Sequence, residues 1–451
     1  MSNWQDILLS NNTVSQITVN PDDGNQIALS SESPVILPLT TVTVNHGVVT
    51  TSTVFITLAL DNVFSTYNGG RIPWLSWDNG GVSAGISLAW CSNDSIYSVK
   101  SRNDIYHWGT SYRLDLGTFA SWSNGMHPSG GLTKYYSNLL AKAWIKAARV
   151  EGSDHIYAAF SDQGVPGGDL GQTASIRFSL DGGRSWKNSV IENKSPKWKD
   201  SSSVRVAVNG RIVYGLFERY NGLAGDGINA IGDVIIVRDD DGGKNGFNDL
   251  SGARVVKNQV FPLGKLGRQK LGADFSLAID PNDAGQVYVA YAVQTANDPR
   301  VSVLGSHDLG VTWQQLELLP ANTAMPAIAV TENGVVGIVY TKFVAGNLET
   351  HFSYTGDGFV SLSDETLSCF KDGSITFPSP SYIGDHNDLV VVKNTFYGAF
   401  SSSDDASLFP VAPKFSSLPG LPGKLGKSVP YAVIPYFFKA TVDNFQYFNG
   451  N

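Results

Sequence analysis

Long apolar runs are missing from this sequence. The longest, such as Val234 to Val237, have the length of a strand, so no segment can cross a membrane as a helix. Basic runs are missing too. Against 40 aspartates and glutamates stand 32 lysines and arginines, and the net charge of −8 argues against a nucleic-acid partner. Cysteine is scarce: Cys91 and Cys369 alone cannot scaffold 451 residues, and both are expected as buried free thiols. The start, MSNWQDILLSNNTVSQ, has neither a basic n-region nor an apolar h-region. The chain is therefore cytoplasmic, released by an unconventional route, or secreted with its signal removed.

Helical periodicity is nearly absent as well. Only Leu139 to Val150 has a helical look, and its place in the repeat described below reads as strand. What remains is abundant: 47 glycines, 20 prolines and 50 aromatic residues, the composition of many short strands joined by tight turns. One pattern recurs, a period-two run, a turn of Asn, Asp and Gly, then a second run. It appears at 16–31, 85–101, 144–162, 204–220, 275–293, 326–343 and 388–402. Several hairpins are followed by a third run and a further turn, so the unit reads as four strands.

Four-stranded units repeated around a ring make a β-propeller, in which closure protects the edges of each small sheet. The expected fold is all-β, a single propeller of four-stranded blades. Seven blades are expected, at about 12–74, 83–122, 140–190, 200–250, 271–316, 323–362 and 382–445, with six as the alternative count. The strands in 431–442 are expected to complete the last blade and close the ring.

Two third–fourth turns share one pattern: Ser179, Asp181, Gly183, Ser185 and Trp186, and Ser306, Asp308, Gly310, Thr312 and Trp313. Weaker copies run through Asp239, Asp241, Gly243 and Phe247, and through Ser353, Gly356 and Phe359. Every residue type has a structural use. The Asp accepts backbone N–H bonds, Ser and Thr hydroxyls tie the turn's ends, Gly permits positive φ, and Trp wedges between sheets.

This pattern resembles the Asp-box, or BNR repeat, and the chain resembles the sialidase superfamily of propellers. The phrase YIGDHNDLVVVKNTFYGAFSS at 382–402 is similar to the final-blade signature of such proteins. The resemblance implies a propeller whose ligand site lies at the channel mouth opposite the Asp-boxes. It also draws attention to Arg71 in RIP, since an Arg-Ile-Pro motif supplies a carboxylate-binding arginine in sialidases. Arg71 nevertheless falls within an Asp-box copy, on the other face.

In a four-stranded meander, first–second and third–fourth turns share one face, while second–third loops and blade crossings share the other. The second face receives Asp162, Glu218, Arg219 and Tyr220 from second-strand ends. Trp144, Arg205, Arg268, Asp385, His386 and Asp388 come from first-strand starts. Carboxylates, cations and aromatic rings converging on one mouth are the composition of a glycan site. Glu218 and Asp385 are the candidate catalytic pair. Arg219, Tyr220, Arg268, His386, Trp144 and Asp162 are the candidate substrate-binding residues.

The expected partner is a glycan or glycoconjugate. Two readings stay open: a sialidase-like glycoside hydrolase, and a non-catalytic lectin or surface-recognition propeller. No cofactor is required. The Asp-rich loop at 238–249 offers calcium-type oxygen ligands without EF-hand spacing, so a calcium held there would be structural.

Overall fold

The computed structural model describes residues 13–19, 21, 26–32, 36–45, 48–57, 84–92, 95–102, 110–115, 144–162, 173–192, 201–226, 229–262, 265–267, 269–270, 275–372, 383, 387–403, 407–408 and 433–441. All secondary structure among them is β. The first sheet holds β1–β4 (Thr13–Val19, Gln26–Glu32, Ile36–Asn45, Val48–Thr57) and the second β5–β7 (Ala84–Ser92, Ser95–Arg102, Thr110–Asp115). The third is β8–β11 (Trp144–Val150, Ser153–Asp162, Thr173–Ser179, Lys187–Val190). The fourth is β12–β15 (Ser201–Asn209, Ile212–Leu223, Ala230–Asp239, Leu250–Phe261), followed by a small hairpin, β16–β17 (Lys265–Leu266, Gln269–Lys270). The fifth is β18–β21 (Phe275–Ile279, Val287–Gln294, Pro299–Ser306, Gln314–Leu318) and the sixth β22–β25 (Thr323–Val330, Val336–Val344, Asn347–Thr355, Ser363–Lys371). The last contains β26 (Asp388–Val392), β27 (Thr395–Ser403) and β29 (Val433–Thr441), while β28 (Ser407–Leu408) pairs with β25 of the sheet before.

The fold is an all-β propeller of small antiparallel sheets, each a meander in chain order. The expected count needs correcting. Five complete four-stranded blades stand among the described residues, not seven, because the sheets at 84–115 and 388–441 show three strands each. The reason is local: hairpins announce themselves through turn residues, whereas an outer strand has no such mark. Strands β1, β5, β8, β12, β18, β22 and β26 touch one another in that order, and β26 touches β1. The segment with a helical look is strand β8, as its place in the repeat requires.

Packing between sheets is aromatic against small. Phe217, Phe178, Ile235 and Val206 fill the layer between the third and fourth sheets; Tyr214, Leu216, Phe261 and Phe275 fill the next. Gly215 has no room for a side chain, since a Cβ there would lie 2.8 Å from Ile176. Cys91 and Cys369 are free thiols, Cys91 buried and Cys369 half-buried.

The two repeated turns have the same bonding. The Ser306 hydroxyl donates to Asp308 at 2.8 Å and accepts the Gly310 amide at 2.9 Å, while Asp308 accepts the Thr312 amide and hydroxyl at 2.8 and 2.6 Å. In the other copy, Ser179, Asp181, Gly183 and Ser185 repeat these bonds at 2.7, 2.8, 2.8 and 2.6 Å. Each indole N–H reaches back to a glycine carbonyl, Trp186 to Gly183 at 3.1 Å and Trp313 to Gly310 at 2.9 Å. Both rings pack against clusters shared by two sheets, as the wedge role requires.

The copy expected at Ser353 and Gly356 is displaced by two residues. Thr355 takes the first place, Asp357 and Ser361 follow, and Phe359 occupies the glycine position at φ 71°. Ser353 bonds to Asp364 instead. In the Asp239 copy the buried carboxylate replaces the serine hydroxyl and accepts the amides of Asp241, Gly243 and Phe247.

These turns carry an acid signature. The hydroxyl and amide of Thr312 hold Asp308 down to about 2, and those of Ser361 do the same for Asp357, against an ordinary 3.8. The folded value lies below the unfolded one. The resulting stability is therefore fully present above about pH 4 and lost as pH falls toward 2. Thermal melts across this window should show a steeper loss in the wild type than in an Asp308→Asn, Asp357→Asn double variant. Parallel curves would remove these turns as the source.

Candidate functional site

The two faces of the ring are built differently. On the turn face, third–fourth turns dock on first–second turns of the same sheet, through Gly182 N to Asp154 O, Gly242 N to Arg211 O and Leu309 N to Gly285 O. First–second turns are also tied from sheet to sheet. Arg211 reaches Glu151 at 2.6 Å, Asn209 donates to the carbonyls of Asp280 and Pro281 at 2.9 and 3.1 Å, and Asn282 donates to Glu332 O. The Glu332 amide bonds to Lys393 O, and that of Asn333 to the Asn394 side chain at 3.1 Å. This face is occupied by its own architecture.

The crossing face is latched nearer the axis. Arg205 Nε donates to Phe275 O at 2.7 Å, and Ser276 Oγ accepts the Ile328 amide at 3.0 Å. Asn387 donates to Met325 O at 2.8 Å, and Asp388 Oδ2 accepts the Ile17 amide at 2.8 Å. Between the faces runs an axial cavity of ≈ 380 Å³. Ala147, Val206, Leu277, Ile328 and Val390 are among its apolar walls; Trp144 and Asp388 line it at the starts of their strands, Arg205 from the middle of β12, and Asn209, Gly210 and Pro281 from the first–second turn ends. The Arg205 guanidinium carbon sits 4.0 Å from the centre of the Trp144 ring. A cation on an indole face gains roughly 2 kcal/mol when desolvated.

Sequence reasoning places several candidates where the structure describes them. Trp144 opens β8 and lines the cavity. Glu218 and Arg219 are neighbours on β13, so alternation turns them to opposite faces. Glu218 is buried, 3% exposed. Gly232 leaves it room: a Cβ there would meet Glu218 Oε1 at 3.0 Å and the Arg219 carbonyl at 2.8 Å. Arg219 grips Glu192 with two parallel bonds, Nε to Oε2 at 2.8 Å and Nη2 to Oε1 at 2.9 Å. Tyr220 is half-buried against the cluster of Leu216, Phe261 and Tyr291. Asp162 is the last residue of β9, opposite Thr173. Asp385, His386, Arg268 and Arg71 lie outside the described residues.

Glu192 went unnoticed in the sequence. It lies just beyond β11, 27 residues before Arg219, and only the propeller brings the two together. In the Asp-rich loop, oxygens that calcium would use face the protein's own donors. Asp240 takes Arg238, Asp241 takes Arg211 and Lys244, and Asp249 takes the Asp240 amide and Asn245. No group of three or more His, Cys, Asp or Glu among the described residues is arranged to hold a metal ion. No helix among them is long and apolar enough to cross a membrane.

No protein-family model matches this chain, and no curated protein matches it. Solved structures share its fold. An ulvan lyase of polysaccharide lyase family PL25 superposes with a TM-score of 0.52 at 11% identity, covering 88% of this chain and 93% of its own. Its form bound to -[GlcA(1-4)Rha3S]- gives 0.51 at 11%, over the same shares. The phage phi92 endosialidase gives 0.49 at 9% identity, over 100% of this chain and 70% of its own. At such identities the likeness is one of fold.

Proposed function

We propose that this chain is a carbohydrate-active propeller that binds a glycan at the crossing-face mouth and hydrolyses it there. In this reading the repeated turns are Asp-boxes of the sialidase type. The observation that carries it is the contrast between the faces. Turn-to-turn bonds occupy one, while at the other Trp144, stacked under Arg205, lines the axial cavity. An aromatic ring beside fixed charge suits a sugar face and its polar groups. A neighbour of the same fold bound to -[GlcA(1-4)Rha3S]- supports the reading.

Glu218 and Asp385 are assigned as acid and base, with Arg268, His386 and Asp162 around the sugar. Two carboxylates flanking the scissile bond suffice for most glycoside hydrolysis. A hydrolysis screen on sialosides and uronides tests this. Glu218→Gln and Asp385→Asn should each cut turnover by about 10²–10⁴-fold while glycan binding persists. Binding without turnover, indifferent to both substitutions, supports a second reading, a non-catalytic lectin. One observation favours that alternative. Arg219 is committed to Glu192 and Tyr220 to the core, which draws two of the expected contacts away from the mouth.

A further inference from the structure

His351 sits near the middle of β24, and its ring is buried, 4% exposed. Both ring nitrogens face carboxylates. Nδ1 lies 2.9 Å from Asp364 Oδ2 on β25, and Nε2 lies 3.0 Å from Glu349 Oε2 on β24 itself. The ring stacks on Tyr340 of β23, with centroids 5.2 Å apart and planes 12° from parallel. The second oxygen of each carboxylate is engaged as well. Asp364 Oδ1 accepts the hydroxyls of Tyr340, at 3.0 Å, and Ser353, while Glu349 Oε1 accepts the Cys369 thiol at 3.8 Å. Alternation explains the gathering. Glu349, His351 and Ser353 share one face of β24, and Tyr340 and Lys342 stand directly opposite His351 and Glu349 on β23.

That face packs on the fifth sheet, where Tyr288, Val301 and Val303 belong with Tyr340 to one cluster. Among the described residues, the sixth sheet turns Glu349, Asp364, Tyr340, Cys369 and Lys342 toward the ring. The fifth sheet adds Tyr288 and, opposite Val303, Glu317. Three carboxylates stand against one ammonium. Burial pushes the Asp364 carboxyl up, but the bonds from His351 and Ser353 outweigh it and hold the group below its ordinary 3.8. Asp364 is therefore an anion, able only to accept, across the range of about pH 5–8 in which histidines change charge. Burial pushes the Tyr340 hydroxyl up, so it stays a donor.

A neutral imidazole has one N–H. Given to Asp364, it leaves the Nε2 lone pair against Glu349; given to Glu349, it leaves Nδ1 against Asp364. Both contacts become hydrogen bonds only with one further proton, carried on the ring or on Glu349 Oε2. Strand β25 is where this matters. It carries β28, which comes over from the last sheet and pairs Ser407 with Cys369 and Leu408 with Ser368. We infer that Asp364, His351 and Glu349 form a proton-operated clasp, which grips β25 and with it β28 at acid pH and slackens as pH rises through neutrality. The extra proton closes a charge-assisted bond inside the fold, so its stabilisation is present toward about pH 5 and lost toward about pH 8. The clasp is independent of what the mouth binds.

Hydrogen exchange of the full chain between about pH 5.5 and 8, corrected for the intrinsic pH dependence, tests this. Amides of β25 should lose protection roughly tenfold across that range in the wild type, while those of β14 in the fourth sheet keep theirs. His351→Gln, which cannot take the extra proton, should leave β25 as open at the acid end as at the alkaline end. Glu349→Gln offers the neutral ring an amide donor in place of a carboxylate, and should hold β25 closed at both ends. A flat wild-type profile overturns the inference. So does a pH dependence that survives unchanged in either variant. A loss shared equally by β14 overturns it too, by assigning the effect to the whole fold. If His351→Gln does not fold, the wild type and Glu349→Gln decide the matter.

Discussion

Replacing Arg219 by alanine is expected to destabilise the protein by about 3–5 kcal/mol. The guanidinium, 12% exposed, and the Glu192 carboxylate, 3% exposed, make a bidentate pair where the third sheet ends and the fourth runs back to the crossing face. Removing the cation leaves a buried carboxylate with its principal partner gone, and that uncompensated charge is the main cost. The pair itself is worth much less. A joint Glu192→Leu, Arg219→Met replacement should therefore recover most of the loss. Arg219→Lys should sit between, because a point charge cannot reproduce two parallel bonds. Urea denaturation of the four proteins measures this. A stable Arg219→Ala protein with weakened glycan binding would reverse the assignment and return Arg219 to the ligand.

Phe352→Ala should cost about 3–5 kcal/mol as well, by a different route. The ring is fully buried between the sixth and last sheets. Its centroid lies 5.3 Å from Phe396, 5.3 Å from Phe438 and 5.6 Å from Tyr354, so one truncation removes three ring contacts and opens a cavity. The neighbours cannot collapse into the space from the glycine side. A Cβ at Gly337 would already lie 2.5 Å from Phe396 and 3.0 Å from Phe352. For the same reason Gly337→Ala should strain the wild type and be better tolerated in Phe352→Ala. Thermal melts of the four proteins read that coupling. Simple additivity would show that the two positions do not share the space.

How much of this was legible in the sequence follows from the range of each interaction. The turns at Ser179 and Ser306 are readable because each side-chain bond that shapes them joins residues no more than four apart. The copy at Thr355 was read two residues early, since Ser353 and Thr355 offer the same hydroxyl chemistry. Only the end of β24 decides which one starts the turn. Strand β8 was readable from its place in the repeat although its alanines and lysine speak against it. The mouth was legible as a collection of residue types, but not in its wiring. Sequence neighbours Glu218 and Arg219 suggest a pair; alternation separates them, and Arg219 finds its carboxylate in another sheet.

Among the described residues, every sheet is cut from one continuous stretch of chain apart from the two-residue β28. None borrows a strand from the opposite terminus. The bond from Ile17 to Asp388 and the packing of β1 on β26 and β27 therefore form a seam rather than a weave. Among the described residues, a ring closed this way resembles a split washer, weakest at its cut. Hydrogen exchange spreading from that cut, first into β1 and β26, is how such a ring would begin to open.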